Sequence, residues 1–221
     1  VQAPLRRGSC APESVLGFSG PLRRMDEIGV EPGPLRLQDA VLGSPVVRGA
    51  ARPMRFAEHW RIPVTDGPDR DQFGSSAERL HEGRFVISTT SNHVGLRLRP
   101  DASASLPARE RTDEVLSRGV PIGAFEVPAG DELLVLHRGR GVTAGYPVLA
   151  VVTATGLSRL GQARPGHSVE FVRVTLAEAV AAARAERALI DGVSSRMTRL
   201  LSAQTSYRPG DESPATHRVA S

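Results

Sequence analysis

Residues 119–153 read GVPIGAFEVPAGDELLVLHRGRGVTAGYPVLAVVT, and this stretch sets the fold. It holds three apolar runs, Ile122 to Val127, Leu133 to Leu136 and Val148 to Val152, each of strand length and each bounded by Gly or Pro. The period is that of a sheet, not of a helix. Between the second and third runs lies Arg138 to Pro147, where Gly139, Gly141 and Gly145 allow close backbone approach and Pro147 stiffens the exit. The loop reads either as a glycine-rich hairpin without a ligand or as the rim of a pocket.

The same period returns on both sides. Trp60, Ile62 and Val64 alternate with Arg61, Pro63 and Thr65, which predicts a half-buried strand, and Pro63 argues for a sheet edge. Asp66-Gly67-Pro68-Asp69 is a turn signal, and Asp71 to Leu80 predicts a short helix. Strand character resumes from Phe85 to Arg99; there Val94, Leu96 and Leu98 face one way and Gly95, Arg97 and Arg99 the other. Ser91-Asn92 forms the bend before that face, and residues 99–118 read as a polar surface excursion. Ser158 to Ala163 predicts a short helix stopped by Pro165-Gly166, and Ser168 to Thr175 a further strand.

The period then changes. Leu176, Ala183, Ile190 and Met197 recur every seven residues with Val180, Val193 and Leu200 beside them, the pattern of a helix with a narrow apolar stripe. Such a stripe either packs against the helix's own barrel or forms an oligomer seam. Beyond Ala203 the polar composition reads as a disordered tail.

Composition narrows the chemistry. Among 221 residues, 40% hydrophobic, the 28 basic residues are all arginine. Without lysine there is no P-loop lysine, no Schiff base and no attachment point for covalent biotin. Net charge is only +4 with the arginines scattered, so nucleic acid is not an expected partner. No apolar run approaches the about 18 residues of a membrane span, and the first residues lack a signal peptide's apolar centre, so the expected location is cytoplasmic. The single cysteine, Cys10, reads as an unreactive thiol. The six histidines never fall at spacings that put two ligands on one metal, so no metal site is expected. Gly139-x-Gly141-x-x-x-Gly145 is not a dinucleotide fingerprint: a strand follows it, and no acid occurs between Glu132 and Glu170. Gly17-Phe18-Ser19-Gly20 is not a nucleophile elbow.

Glu126 is the most informative acid, because it interrupts an apolar strand on the face of Ile122 and Ala124. It reads either as an exposed edge position or as a pocket acid paired with an arginine. Tyr146 either fills the barrel or presents its hydroxyl to a substrate.

The central stretch resembles the pattern GAIQVP, a short apolar strand and DRQTTGGYP of the allophanate hydrolase subunit 2 family, which includes the KipA-like proteins, the C subunit of bacterial 5-oxoprolinase and half of the carboxyltransferase region of urea carboxylase. SNHVGLRL (Ser91 to Leu98) is similar to the family's SNRMGYRL, and Leu160 to Ala179 to its LAQ, PGD-x-V-x-F and EA run. Further matches are Arg7 to Gly17, Leu35 to Gly43, and Gly67, Pro68 and Phe73. The resemblance covers roughly residues 5 to 180 in order. It departs at Gly139 for aspartate, Gly141 for glutamine, Val142 for threonine, Ala144 for glycine, His93 for arginine and Glu126 for glutamine.

The resemblance implies a mainly β fold, a cyclophilin-like β-barrel with a C-terminal helix. It implies these parts: residues 1–55, a remnant of the family's upstream region, the rest of which is expected to lie before Val1; residues 56–180, the barrel; 181–203, the helix; 204–221, the tail. The implied function is as one subunit of a 5-oxoprolinase or biotin-dependent carboxyltransferase type enzyme acting on an amide or lactam. A divergent, non-catalytic binding or regulatory subunit is the alternative. A KipI-like partner (similar to the B subunit of 5-oxoprolinase) is implied, with a LamB/YcsF-like protein as the A subunit; ATP would be used by the assembled complex, and biotin would arrive only on another domain. The substrate-binding residues expected to line one concave site are Asn92, Arg97, Glu126, Thr143 and Tyr146, with Arg97 pairing Glu126 or a substrate carboxylate.

Overall fold

The structure, a computed structural model, describes residues 24–25, 57–111, 114–128 and 130–206. Expectations for Cys10, for the N-terminal strands and for the tail beyond Ser206 lie outside the described residues. Contacts divide the chain into two units, Val1–Gly43 and Ser44–Ser221, and all the described strands and helices belong to the second.

Among the described residues nine strands form in chain order: β1 (His59–Asp66), β2 (Phe85–Ile87), β3 (Gly95–Pro100), β4 (Arg118–Gly119), β5 (Ala124–Glu126), β6 (Leu133–Leu136), β7 (Thr143–Ala144), β8 (Val148–Val152) and β9 (Ser168–Arg173). Seven close into a barrel in the order β1-β8-β5-β6-β3-β2-β9, while β4 and β7 make a separate two-stranded ribbon. Among the described residues two α-helices form, α1 (Ala154–Leu160) after β8 and α2 (Leu176–Ser206) after β9. The fold is thus mainly β with a C-terminal helix, as the period-2 runs and the resemblance predict.

Alternation explains the barrel interior. Trp60, Ile62 and Val64 of β1 are buried, with Arg61 exposed between them. They meet Phe85, Ile87, Leu98, Phe125, Leu133, Val135, Leu149, Val152, Val169 and Phe171 in one core. Phe171 anchors it, packing edge-on against Phe125 with centroids 4.7 Å apart and tilted against Phe85 at 5.7 Å. Phe73, Ala77 and Leu80, from a 3-10 segment at Arg70–Leu80, join the same core.

Three local expectations are corrected. Pro63 does not mark an edge, because β1 is flanked by β9 in parallel and β8 in antiparallel. The β8 ladder begins at Val64, so Pro63 stands at its end and its carbonyl accepts from the Thr153 amide at 3.1 Å. The helix expected at Ser158 begins at Ala154, since Thr153 caps it: its Oγ1 accepts the Gly156 amide at 3.1 Å. The C-terminal helix starts at Leu176 rather than at 181 and runs to Ser206. It packs on α1 and touches β1, while Leu189 and Ile190 farther along are 56% and 58% exposed. No helix among the described residues is long and apolar enough to cross a membrane.

Candidate functional site

The site is built outside the barrel, on the face of β5, β6 and β8 that the β4–β7 ribbon adjoins. Strand alternation sends Phe125 into the core, while Ala124 joins a second apolar cluster with Val120, Leu136 and Val148, against which Leu134, Ala144 and Val151 pack. The ribbon is held by Arg118 opposite Ala144 and Gly119 opposite Thr143. The Val120 amide donates to the Val142 carbonyl at 3.1 Å, and Arg140 Nε donates to the Val120 carbonyl at 3.0 Å.

One residue that the sequence marks only as part of a turn ties this ribbon to the barrel. Asp69 is 6% exposed; its Oδ2 accepts the Val148 amide at 2.7 Å and pairs with the Arg118 guanidinium. Gly67 brings the turn close enough to do this. A Cβ there would stand 2.3 Å from the Val148 carbonyl oxygen and 2.7 Å from the Leu149 carbonyl carbon, so only glycine fits. The Asp66 to Asp69 turn signal was the only mark in the sequence, because the partners of Asp69 lie 49 and 79 positions away.

Glu126 sits opposite Leu134 and Val148, both on the side of the second cluster. It is 3% exposed, and its Oε1 has no hydrogen-bond partner. The exposed-edge reading of Glu126 and its expected pairing with Arg97 are therefore corrected. It is not at an exposed edge, because β5 lies between β6 and β8, and it is not paired with Arg97. Arg97 Nη1 instead donates to Glu132 Oε2 at 3.2 Å, and Arg99 Nε to Glu132 Oε1 at 2.8 Å, since all three side chains stand on the paired β3 and β6 side of the barrel. Burial pushes the Glu126 carboxyl above its ordinary pKa, because removing water penalises the charged form.

The other expected site residues fall as follows. Asn92 is exposed, and its Oδ1 accepts the amides of Val94 at 2.9 Å and Gly95 at 3.3 Å, so the side chain shapes its own bend. Thr143 is exposed on the ribbon. Tyr146 is 50% exposed and does not fill the barrel. Segments far apart in sequence do meet: the Gly139 amide donates to the His93 carbonyl at 2.8 Å, and the His137 amide to that of Val94 at 2.8 Å. A Cβ on Gly139 would approach His93 Cδ2 to 2.2 Å, so the loop has no room for a side chain there while His93 keeps its place. Ala144 packs on the cluster containing Ala124, which joins the glycine loop to β5. Burial and the neighbouring Arg138 charge hold His137 below its ordinary pKa, so its imidazole is neutral near neutrality. The structure thus brings the three motifs into contact but commits Asn92 to a turn and Arg97 to an ion pair. A cavity of about 470 Å³ elsewhere on the barrel is lined by none of the five residues.

Comparison with known proteins agrees with this architecture. Residues 1–173 match the family described as carboxyltransferase domain, subdomain A and B. The chain is 27% identical over 138 residues to the 5-oxoprolinase C subunit of Escherichia coli strain K12, an alignment covering 62% of this chain and 43% of that protein. It is 27% identical over 109 residues to the Haemophilus influenzae protein of the same name, covering 49% and 34%. The chain therefore spans less than half the length of these relatives. The crystal structure of Kluyveromyces lactis urea carboxylase matches at TM-score 0.55 and 22% identity over 66% of this chain and 13% of that one, a likeness of fold. With more than half of its length matched, this chain belongs to the carboxyltransferase domain, subdomain A and B family.

Proposed function

We propose that this chain is one subunit of a 5-oxoprolinase type assembly that opens a lactam at the expense of ATP, in the cytoplasm, together with a KipI-like partner and a LamB/YcsF-like protein. The observation that carries the reading is the family match over residues 1–173, joined to relatives that are themselves named as the C subunit of 5-oxoprolinase. Nucleotide chemistry belongs to the assembled complex. The same fold would serve carboxyl transfer to an amide nitrogen if a biotinylated domain were supplied by another chain.

In this reading the exposed Thr143 and Tyr146 contact the substrate, and Asn92 and Arg97 set the bend and strand beside the glycine loop. Burial favours the protonated form of the Glu126 carboxyl under the ribbon. A protonated carboxyl offers one donor and one acceptor, so it stands in for the glutamine that the family pattern carries at this place. A second reading, a non-catalytic binding or regulatory subunit, is favoured by Gly139, which stands where the family pattern carries an aspartate and where His93 leaves no room for a side chain. Co-expression with the KipI-like partner separates the readings. A stable complex that turns over 5-oxoproline with ATP, and slows when Tyr146→Phe is introduced, supports the first. A stable complex in which Tyr146→Phe and Glu126→Gln change neither turnover nor affinity supports the second.

A further inference from the structure

The cavity of about 470 Å³ lies on the far side of β1 from the barrel interior, beneath the first turns of α2 and beside α1, with contributions from β1, β9 and both helices. Its size is that of a small-molecule site. Its walls divide by chemistry: Val172 and Val174, with alanines of α2, make one apolar, and Arg61, Arg159 and the Thr155 hydroxyl make the other polar.

The two guanidiniums are only weakly engaged by the protein. Arg61 Nε stands 3.8 Å from Glu170 Oε2, beyond hydrogen-bond distance, and that carboxylate accepts Arg84 Nε at 3.0 Å. Arg159 Nη1 donates to a neutral acceptor, the Arg61 carbonyl, at 3.3 Å. The one acid in the wall, Glu178, is committed elsewhere: its Oε2 accepts both the Thr175 amide and the Thr175 hydroxyl at 2.8 Å, the geometry of a capping box. Two planar donors with spare N–H groups therefore face a cavity whose other wall is apolar. That pairing suits a carboxylate carried on a short hydrocarbon body, with the charge at the guanidiniums and the alkyl part against the valines.

We infer that this cavity is a binding site for a small aliphatic carboxylate, separate from the face under the β4–β7 ribbon. The site is independent of the proposed lactam chemistry. Because Arg61 and Arg159 are both exposed, the affinity is modest and falls with added salt.

Butyrate is the probe, with butyramide as its neutral counterpart of like size, titrated into the isotope-labelled full chain by NMR. Expected are saturable shifts of the Thr155, Val172 and Ala179 amides with butyrate and none with butyramide. Arg159→Gln weakens butyrate binding by about tenfold or more, as loss of a hydrogen bond to a charged group implies. Arg99→Gln, which alters an ion pair on the other side of the barrel, leaves it unchanged. Circular dichroism and the Trp60 emission check that each variant is folded; should Arg159→Gln not fold, Arg61→Gln takes its place. Equal shifts with butyrate and butyramide, no saturable shift with butyrate, or unaltered affinity in the folded arginine variant would overturn the site.

Discussion

Replacing Glu126 with glutamine isolates the one side-chain oxygen that, among the described residues, the fold buries without a partner. The folded-state pKa of Glu126 is raised by burial, so the native state holds its proton more tightly than the unfolded chain does. Its contribution is fully favourable below the unfolded pKa, and stability is lost as pH rises from there through the folded pKa. Each unit of upward shift corresponds to about 1.4 kcal/mol lost once the pH exceeds both values. An unsatisfied buried polar group costs about 1–3 kcal/mol, which glutamine shares, and more if charged, so the difference measures the added cost of the charged form and is expected to be about 1 kcal/mol or more. Glutamine has nearly the same shape and does not titrate. Urea unfolding of the wild type and Glu126→Gln, followed by the single tryptophan, Trp60, buried and bonded to His167 Nδ1 at 3.0 Å, should give a difference that grows in favour of glutamine as the pH rises above the ordinary glutamate pKa of about 4.3. Asp101 and Glu170, whose carboxyls are held low by hydrogen bonds, from the Ser103 and the Arg84 side chains respectively, drive the opposite trend in both proteins and cancel in the difference. Parallel stability curves across that range would refute the buried, unpaired carboxyl.

Other substitutions probe the anchoring of the site. Asp69→Ala strands the buried Val148 amide and should cost about 1–3 kcal/mol, with faster hydrogen exchange at Val148 and the ribbon as the direct readout. Gly67→Ala forces a methyl onto the β8 backbone, which no rotamer change relieves, and should cost about 3 kcal/mol in urea unfolding. Thr153→Ala removes the cap of α1 and should lower stability by about 1 kcal/mol while leaving the barrel's spectrum intact. The purified chain alone, given 5-oxoproline and ATP or urea and free biotin, should show no substantial turnover.

The barrel was legible because its alternation is local: Trp60, Ile62 and Val64 carry the inward face within a single strand, and each apolar run of residues 119–153 became a strand. Ribbon β4–β7 was not, since two residues per strand leave no period to read. Pro63 misled because closure of the barrel, which removes edges, is a property of the whole sheet rather than of one strand. Position Glu126 was singled out by a local conflict, a carboxylate in an apolar run, yet the absence of a partner depends on where Arg97 and Glu132 meet. The cavity gave no sign at all, because Arg61, Arg159, Val172 and the alanines of α2 come from four elements that only the closed barrel brings together.

If this member of the carboxyltransferase family works as one subunit of a lactam-opening assembly, the assembly must depend on it for turnover. The direct test is ADP release and glutamate formation from 5-oxoproline by the KipI-like and LamB/YcsF-like proteins, measured with and without this chain. Turnover that requires 5-oxoproline is expected with all three proteins and almost none when this chain is omitted; turnover indifferent to its omission would show that the chain is not part of the lactam-opening machinery.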